Sequence, residues 1–271
     1  QDNKMVYYNN INELNTKFDT TTIEGVDFKI PEPLTTSNAT AQTLVEFNKV
    51  SVSFDGKPIL KNISWIIEKG EFWQLIGANG SGKSTLIQMI TGDSHKAYGQ
   101  EVLLFGKRKG SGESVWDIKK RIGYFTPSMI LTFKGYDSVL NMLISGIHDS
   151  IGLYTEPSET ERQLALTWLK ILKMAHKKAV QFRQLSEGEK RLVMTARAMI
   201  KHPPLLLLDE PTIGLDEKAT ARFIGLINQL AAKTETTIVY VSHQDEARLR
   251  PRKKFILTMG TNGSTGSECQ A

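Results

Sequence analysis

Eight residues, Gly77-Ala78-Asn79-Gly80-Ser81-Gly82-Lys83-Ser84, constrain this chain more than any other stretch, because they fit the spacing G-x-x-x-x-G-K-[ST]. Residues 71–76 before them read as a buried strand, and residues 84–90 after them have helical character and stop at Gly92, a C-cap signal. Strand, glycine-rich loop and helix in that order make a phosphate cradle. Glycines let successive backbone N–H groups turn inward, and the helix N-terminus adds partial positive charge. From this position Lys83 reaches the β- and γ-phosphates and the Ser84 hydroxyl ligates Mg²⁺. The run from Gly77 through Thr85 is therefore expected to bind a nucleoside triphosphate.

The 271 residues can hold one large domain or two small ones. A composition 40% hydrophobic and 23% charged is that of an ordinary globular chain and excludes a disordered or fibrous one. The formal charge of +5 suits anionic ligands without announcing nucleic acid. Cys269 is the only cysteine, so no internal disulfide exists, in agreement with a reducing compartment. No apolar run approaches the roughly 20 residues of a membrane span, and no signal-peptide core follows Gln1-Asp2-Asn3-Lys4. The expectation is a soluble, cytoplasmic protein that meets a membrane only through a partner. Histidines 95, 148, 176 and 202 show no metal-ligand spacing, which argues against zinc.

Residues 1–42 are rich in Asn, Thr, Asp and Glu, with Pro31 and Pro33 close together; they read as a linker or the tail of an upstream domain, with a short strand over 26–30. The missing initial methionine suits a fragment or a processed chain. Residues 44–54 alternate as a strand, Asp55-Gly56-Lys57-Pro58 signals a turn, and 63–67 alternate again. This predicts a small antiparallel sheet feeding the phosphate-loop strand, with Phe54 placed to stack on an adenine ring or to sit as an edge residue. Residues 102–105 and 122–125 are further strands. Between them lie a basic, flexible loop (106–112) and Lys119-Lys120-Arg121, read as a solvated face with nucleic-acid contact as the alternative. From about 133 to 202 the pattern is helical: an apolar helix over 139–147, then two capping boxes, Ser158 to Glu161 and Ser186 to Glu189. The first opens an amphipathic run over 163–174, and the second opens a helix that ends at His202-Pro203-Pro204.

The apolar strand 205–208 ends in Asp209 and Glu210; a helix over about 217–232 and a strand over 237–241, ending at Ser242-His243, follow. Strands alternating with helices predict an α/β fold whose mostly parallel core sheet has flanking helices and carries its ligands at the carboxyl ends of its strands. Lys83, Asp209 and His243 all fall at such ends. Asp209 is costly to bury without a cation, and Mg²⁺ shared with Ser84 supplies one. Glu210 points differently and suits the base that polarises an attacking water, and His243 contacts the γ-phosphate or orients Glu210.

In order, the phosphate loop, Leu185-Ser186-Glu187-Gly188-Glu189, the strand ending in Asp209-Glu210, Gly214-Leu215-Asp216 and Ser242-His243 resemble an ATP-binding-cassette (ABC) ATPase domain over about residues 43–258. The resemblance implies a P-loop NTPase of ABC type. Its mostly parallel core carries an antiparallel β-subdomain and an α-helical signature subdomain (about 133–202), and residues 259–271 follow as a flexible tail. It also implies ATP and Mg²⁺ as cofactors and a second cassette as partner, in a head-to-tail dimer around two ATP. Each ATP lies on one loop and under the other cassette's Ser186, Glu187, Gly188 and Glu189, with Asp216 as the D-loop residue. Within the family, residues 72–80 and 104–120 look most like tandem cassettes associated with molybdate transport and photorepair (the ModF type), of which this chain suits the second half.

Two departures stand out against the family pattern. A glutamine usually follows the strand equivalent to 122–125, but here the run is Thr126-Pro127-Ser128-Met129. Ser128 is the polar substitute, while Pro127 offers no N–H. The signature carries Glu187 and Glu189 where Gly and Gln are usual, which weakens the contact with a partner's γ-phosphate unless Lys190 or Arg191 compensates. The expectation is an ATPase with slow hydrolysis that drives or regulates a transmembrane permease at the inner face of the membrane. The alternative is a soluble ATPase acting on nucleic acid or another macromolecule, towards which the basic run 248–254 leans.

Overall fold

A computed structural model describes residues 29–34 and 41–271; the strand expected over 26–30 lies mostly outside them, and Lys29 to Pro33 have no regular structure. Strands β1 (Thr43–Phe54) and β2 (Lys57–Glu68) form the expected hairpin. Asp55 and Gly56 between them both take positive φ, 49° and 77°, the requirement of a tight turn that matches strand twist. With β4 (Val102–Leu104) and β5 (Lys107–Arg108) they make an antiparallel sheet of order β2-β1-β4-β5. Residues 106–110 of the expected basic loop are thus strand and turn, and Lys109 is buried beneath Tyr98, with Nζ 5.3 Å from the ring centroid.

The second sheet contains the phosphate-loop strand β3 (Phe72–Gly77), β6 (Ile122–Phe125), β7 (Leu205–Asp209), β8 (Thr237–Ser242), β9 (Lys253–Thr258) and β10 (Thr265–Gln270). Its order is β10-β9-β3-β8-β7-β6, parallel throughout except for β10 on β9. Side chains that alternate along these strands divide the interior in two. Trp73, Leu75, Leu205, Leu207, Val239 and Val241 face the antiparallel sheet, where Trp65 stacks on Phe255 at 4.5 Å between centroids. Phe72, Leu206, Leu208, Ile238 and Tyr240 face the helical side. A continuous apolar strand such as β7 follows directly from burial on both faces.

Helix α1 (Lys83–Ile90) leaves the phosphate loop. Helices α2 (Val115–Lys119) and α3 (Pro127–Thr132) flank β6, and neither was expected from the sequence. The helical region consists of α4 (Val139–Ile144), α5 (Glu159–Ile171) and α6 (Glu187–Met199), and α7 (Glu217–Lys233) covers the sheet. Both expected capping boxes form. The helix foreseen over 163–174 instead starts at Glu159, right after its cap, and stops at Ile171. Lys173 takes a positive φ of 56° and Met174 N–H reaches back to the Leu169 carbonyl. The helix foreseen over 139–147 is three residues shorter, ending at Ile144 with Ser145 as its C-cap.

The flexible tail over 259–271 is corrected. Thr265–Gln270 pair with β9, and Ser264 exchanges backbone bonds with Ile59 and Lys61 of β2 at 2.8 Å each. A short polar stretch becomes a strand here because β9 and β2 offer it unpaired backbone groups. No helix among the described residues is long and apolar enough to cross a membrane.

Candidate functional site

The loop between β3 and α1 is shaped by conformations that only glycine takes without strain. Gly80 and Gly82 sit at φ 81° and 96°. A Cβ on Gly82 would lie 2.6 Å from Leu60 Cδ2, and one on Gly77 only 2.4 Å from Ser81 Oγ. Gly82 caps α1 without a side chain, and the first turn holds no acidic residue, so the helix N-terminus faces the cleft with its positive end unneutralised. Lys83 is 5% exposed; its Nζ donates to the carbonyls of Gly77 (2.7 Å) and Ala78 (3.2 Å) and lies 3.5 Å from Glu210 Oε1. Ser81 Oγ is buried with no partner among the described residues. An anion therefore fits this loop: it finds free donors, a buried ammonium and an orphaned hydroxyl.

Gly80, Gly82 and Lys83 line an open cleft of about 510 Å³ together with Phe54, Asn79, Ser84, Thr85 and Glu210. Phe54 is 37% exposed on the cleft wall, with Lys96 Nζ 5.3 Å from its ring centroid. The residues drawn from the phosphate loop and from the end of β7 are thus brought together as the sequence implied. Asp209 is partly buried at that strand end; burial and the neighbouring Glu210 push its pKa up, while Lys83 and a hydrogen bond with Tyr124 oppose them. No cluster of three or more His, Cys, Asp or Glu among the described residues makes a metal site. The hydroxyl of Ser84 and the partly buried carboxyl of Asp209 suit a hard divalent cation such as Mg²⁺, with phosphate and water oxygens completing its shell.

Glu210 takes φ 49°, a left-handed position for a residue that has a Cβ, and its N–H bonds the Val241 carbonyl at 3.0 Å. It lines a second cleft of about 360 Å³, shared with Thr212, Gly214, Ser242 and His243. His243 is exposed there and meets the phosphate-loop cleft only through Glu210. Sequence reasoning missed what holds it. Gln74, wholly buried in β3, donates to Ser242 Oγ at 3.0 Å and to the Gln244 carbonyl at 3.3 Å, bracketing His243. Its signal was visible as an amide inside an apolar strand. Tyr124, which hydrogen-bonds Asp209 from β6, was missed too.

The signature residues lie elsewhere. Ser186, Gly188 and Glu189 line a cavity of about 250 Å³ with Asp216 and Arg222, and no residue lines both it and the phosphate-loop cleft. Ser186 caps α6 and Asp216 caps α7, where the Ala219 N–H donates to its carboxylate at 2.7 Å. Glu187, more than half exposed, pairs with Lys190 at 2.7 Å. Glu189 pairs with Lys177 at 2.6 Å; burial raises its pKa, but bonds from Lys177 and Ser186 prevail and hold it below the usual range. After β6, the run Thr126-Pro127-Ser128-Met129 begins α3 with Pro127 in its first turn, and Ser128 is exposed.

A family model described as ABC transporter matches residues 60–213. The chain is similar to the ABC transporter ATP-binding protein ModF of Escherichia coli (strain K12), 40% identical over 227 residues that cover 83% of this chain and 46% of ModF. It thus spans about half the length of that relative. It is 34% identical to the uncharacterized ABC transporter ATP-binding protein YlmA of Bacillus subtilis (strain 168), over 79% of this chain and 81% of YlmA. Among solved structures, cbiO1 from Clostridium perfringens, part of the ABC transporter complex cbiONQ, shares the fold. Its TM-score is 0.72 at 24% identity, over 84% of this chain and 89% of that one. The ATP-binding cassette MJ0796, dimeric and bound to ADP and Pi after hydrolysis, gives a TM-score of 0.67 at 25% identity, over 84% of this chain and 98% of that one.

Proposed function

The chain belongs to the ABC transporter family of ATP-binding cassettes, and on that premise we propose that it hydrolyses ATP in a head-to-tail dimer that drives or regulates a transport partner. The observation that carries this reading is one cleft, at the carboxyl ends of β3 and β7, that gathers Gly80, Lys83, Ser84 and Glu210. Lys83 and the free N–H groups of α1 hold the β- and γ-phosphates. Ser84 and Asp209 hold Mg²⁺, which when bound neutralises phosphate charge. Glu210 takes a proton from water as the water oxygen bonds the γ-phosphorus and the bond to the bridging oxygen of ADP breaks. His243 stands beside Glu210 to orient it, and Phe54 offers a face to the adenine.

The signature cavity, separate from the phosphate-loop cleft, serves a second cassette's nucleotide in this reading. That cassette is another copy or an upstream tandem half, as the likeness to part of ModF suggests. The cassette runs from about residue 43 through β10, behind a linker. Turnover is slow, because Pro127 and the exposed Ser128 replace the family's usual glutamine. The likeness to ModF alone supports a molybdate-related role, and a permease partner would hold the chain at the cytoplasmic face.

The altered 126–129 segment also favours a second reading, a soluble ATPase acting on nucleic acid or another macromolecule rather than on a permease. The basic run 248–254 does little for it. Arg248 pairs with Glu217, Lys253 with Glu71 and Lys254 with Asp245, so three of its cations are already engaged.

Gel filtration with and without Mg-ATP, run beside phosphate release, tests the proposal. Glu210→Gln should dimerise only with ATP and lose hydrolysis by about 10²-fold or more, the weight of a general base. If it hydrolyses like the wild type, another group is the base. If both proteins bind ATP, stay monomeric and release no phosphate, the second cassette is a different polypeptide.

A further inference from the structure

The segment that follows Glu210 is clamped from two sides, and one clamp comes from the signature helix. Arg191, on the second turn of α6, is 6% exposed, and its Nη1 donates to the Pro211 carbonyl at 2.5 Å. On the other side, Thr212 Oγ1 lies 2.8 Å from the Tyr240 hydroxyl and donates to Glu246 Oε1 at 3.1 Å. Between these anchors and β7, Glu210 keeps its left-handed φ of 49°, a conformation that persists only when its surroundings enforce it. A buried guanidinium is an expensive way to hold one carbonyl, since its Nε finds no partner among the described residues. Burial pushes the Arg191 pKa down, and the charge of Glu187 opposes that.

We propose that Arg191 is a positioning residue that fixes Glu210 through the Pro211 carbonyl and so ties the signature helix to the base of the chain's own nucleotide site. The inference rests on the reading of Glu210 given above. In the dimer, Ser186 and Gly188 at the start of α6 close on the partner's nucleotide. A shift of that helix reaches Glu210 through one buried side chain, without passing through the phosphate loop. The two sites then act together because each signature helix reports to the base on its own chain.

Single-turnover phosphate release and Mg-ATP affinity, measured side by side on wild type, Arg191→Met, Arg191→Lys and Glu210→Gln, decide it. The expected result for Arg191→Met is release at least about tenfold slower with affinity within about threefold of wild type, since small misplacements of a catalytic group cost 10-fold to 10²-fold. The variant should also accumulate the ATP-bound dimer, as Glu210→Gln does, and Arg191→Lys should recover at least a third of the rate. Arg191→Gln carries the Met expectations if the Met variant loses its cooperative melt. A wild-type rate in the Met variant, a loss explained by weaker ATP binding, or a Lys variant as slow as Met overturns the proposal while leaving Glu210 as the base. Equal release from wild type and Glu210→Gln overturns the base assignment itself, and the role given to Arg191 falls with it.

Discussion

At the scale of single residues, the site is built from groups placed at a cost to the fold. Asp209 is the clearest case, a carboxyl pushed towards its neutral form by burial and by Glu210 beside it. Asp209→Asn removes that buried charge, so the nucleotide-free variant should melt higher than wild type at pH 7, by about 2–4 °C per kcal/mol relieved, while Mg²⁺-dependent ATP binding is lost. Differential scanning fluorimetry with and without Mg-ATP reads both effects. Lys83→Ala should weaken ATP binding by about 10–100-fold, the equivalent of roughly 1.5–3 kcal/mol for hydrogen bonds to a charged group, as titration calorimetry would record. Gln74→Leu should act differently. It frees the segment carrying His243 without touching the phosphate loop, so phosphate release should fall about tenfold with ATP affinity retained. An affinity loss equal to the rate loss would show that Gln74 shapes the whole cleft.

At the scale of elements, legibility followed locality. The phosphate loop, the apolar run of β7 and both capping boxes were readable because each is written within a few consecutive residues. Helix α2 went unread because Asp117 fills the third position of its box, where Glu or Gln is the stronger signal. Strand β10 went unread because Thr265–Gln270 is small and polar, and only distant partners make it a strand. The links from Arg191 to Pro211 and from Gln74 to Ser242 join elements far apart in sequence, which no local pattern encodes. Packing between elements yields a further expectation. A Cβ on Gly146, just past α4, would lie 2.1 Å from the Arg197 carbonyl on α6, so Gly146→Ala should destabilise by about 1–3 kcal/mol in urea unfolding. Ser186→Ala should cost about 1 kcal/mol through the lost cap alone.

At the scale of the molecule, Glu71 stands where the two sheets meet. Its carboxylate accepts from the Glu68 N–H at the end of β2, from the Trp73 indole on β3 and from Lys253 on β9. Burial raises its pKa, but those bonds prevail and hold it below its ordinary 4.5. A lowered carboxyl pKa adds stability above the unfolded value and loses it as the pH falls through the folded one. Glu71→Gln should therefore be less stable than wild type at pH 7, with a deficit that shrinks as the pH falls below about 4.5, by urea unfolding across that range; a deficit that does not change with pH would show that the ion is irrelevant. The sheet order has a consequence in time as well as in space. Strand β3 lies between β8 and β9, both of which come from the last third of the chain. On a ribosome, β3 emerges with both edges bare and waits for most of the cassette to be made before either neighbour exists. The nascent phosphate-loop strand is thus a natural client for chaperones, and pieces ending before β8 should be released into aggregates rather than into a smaller fold.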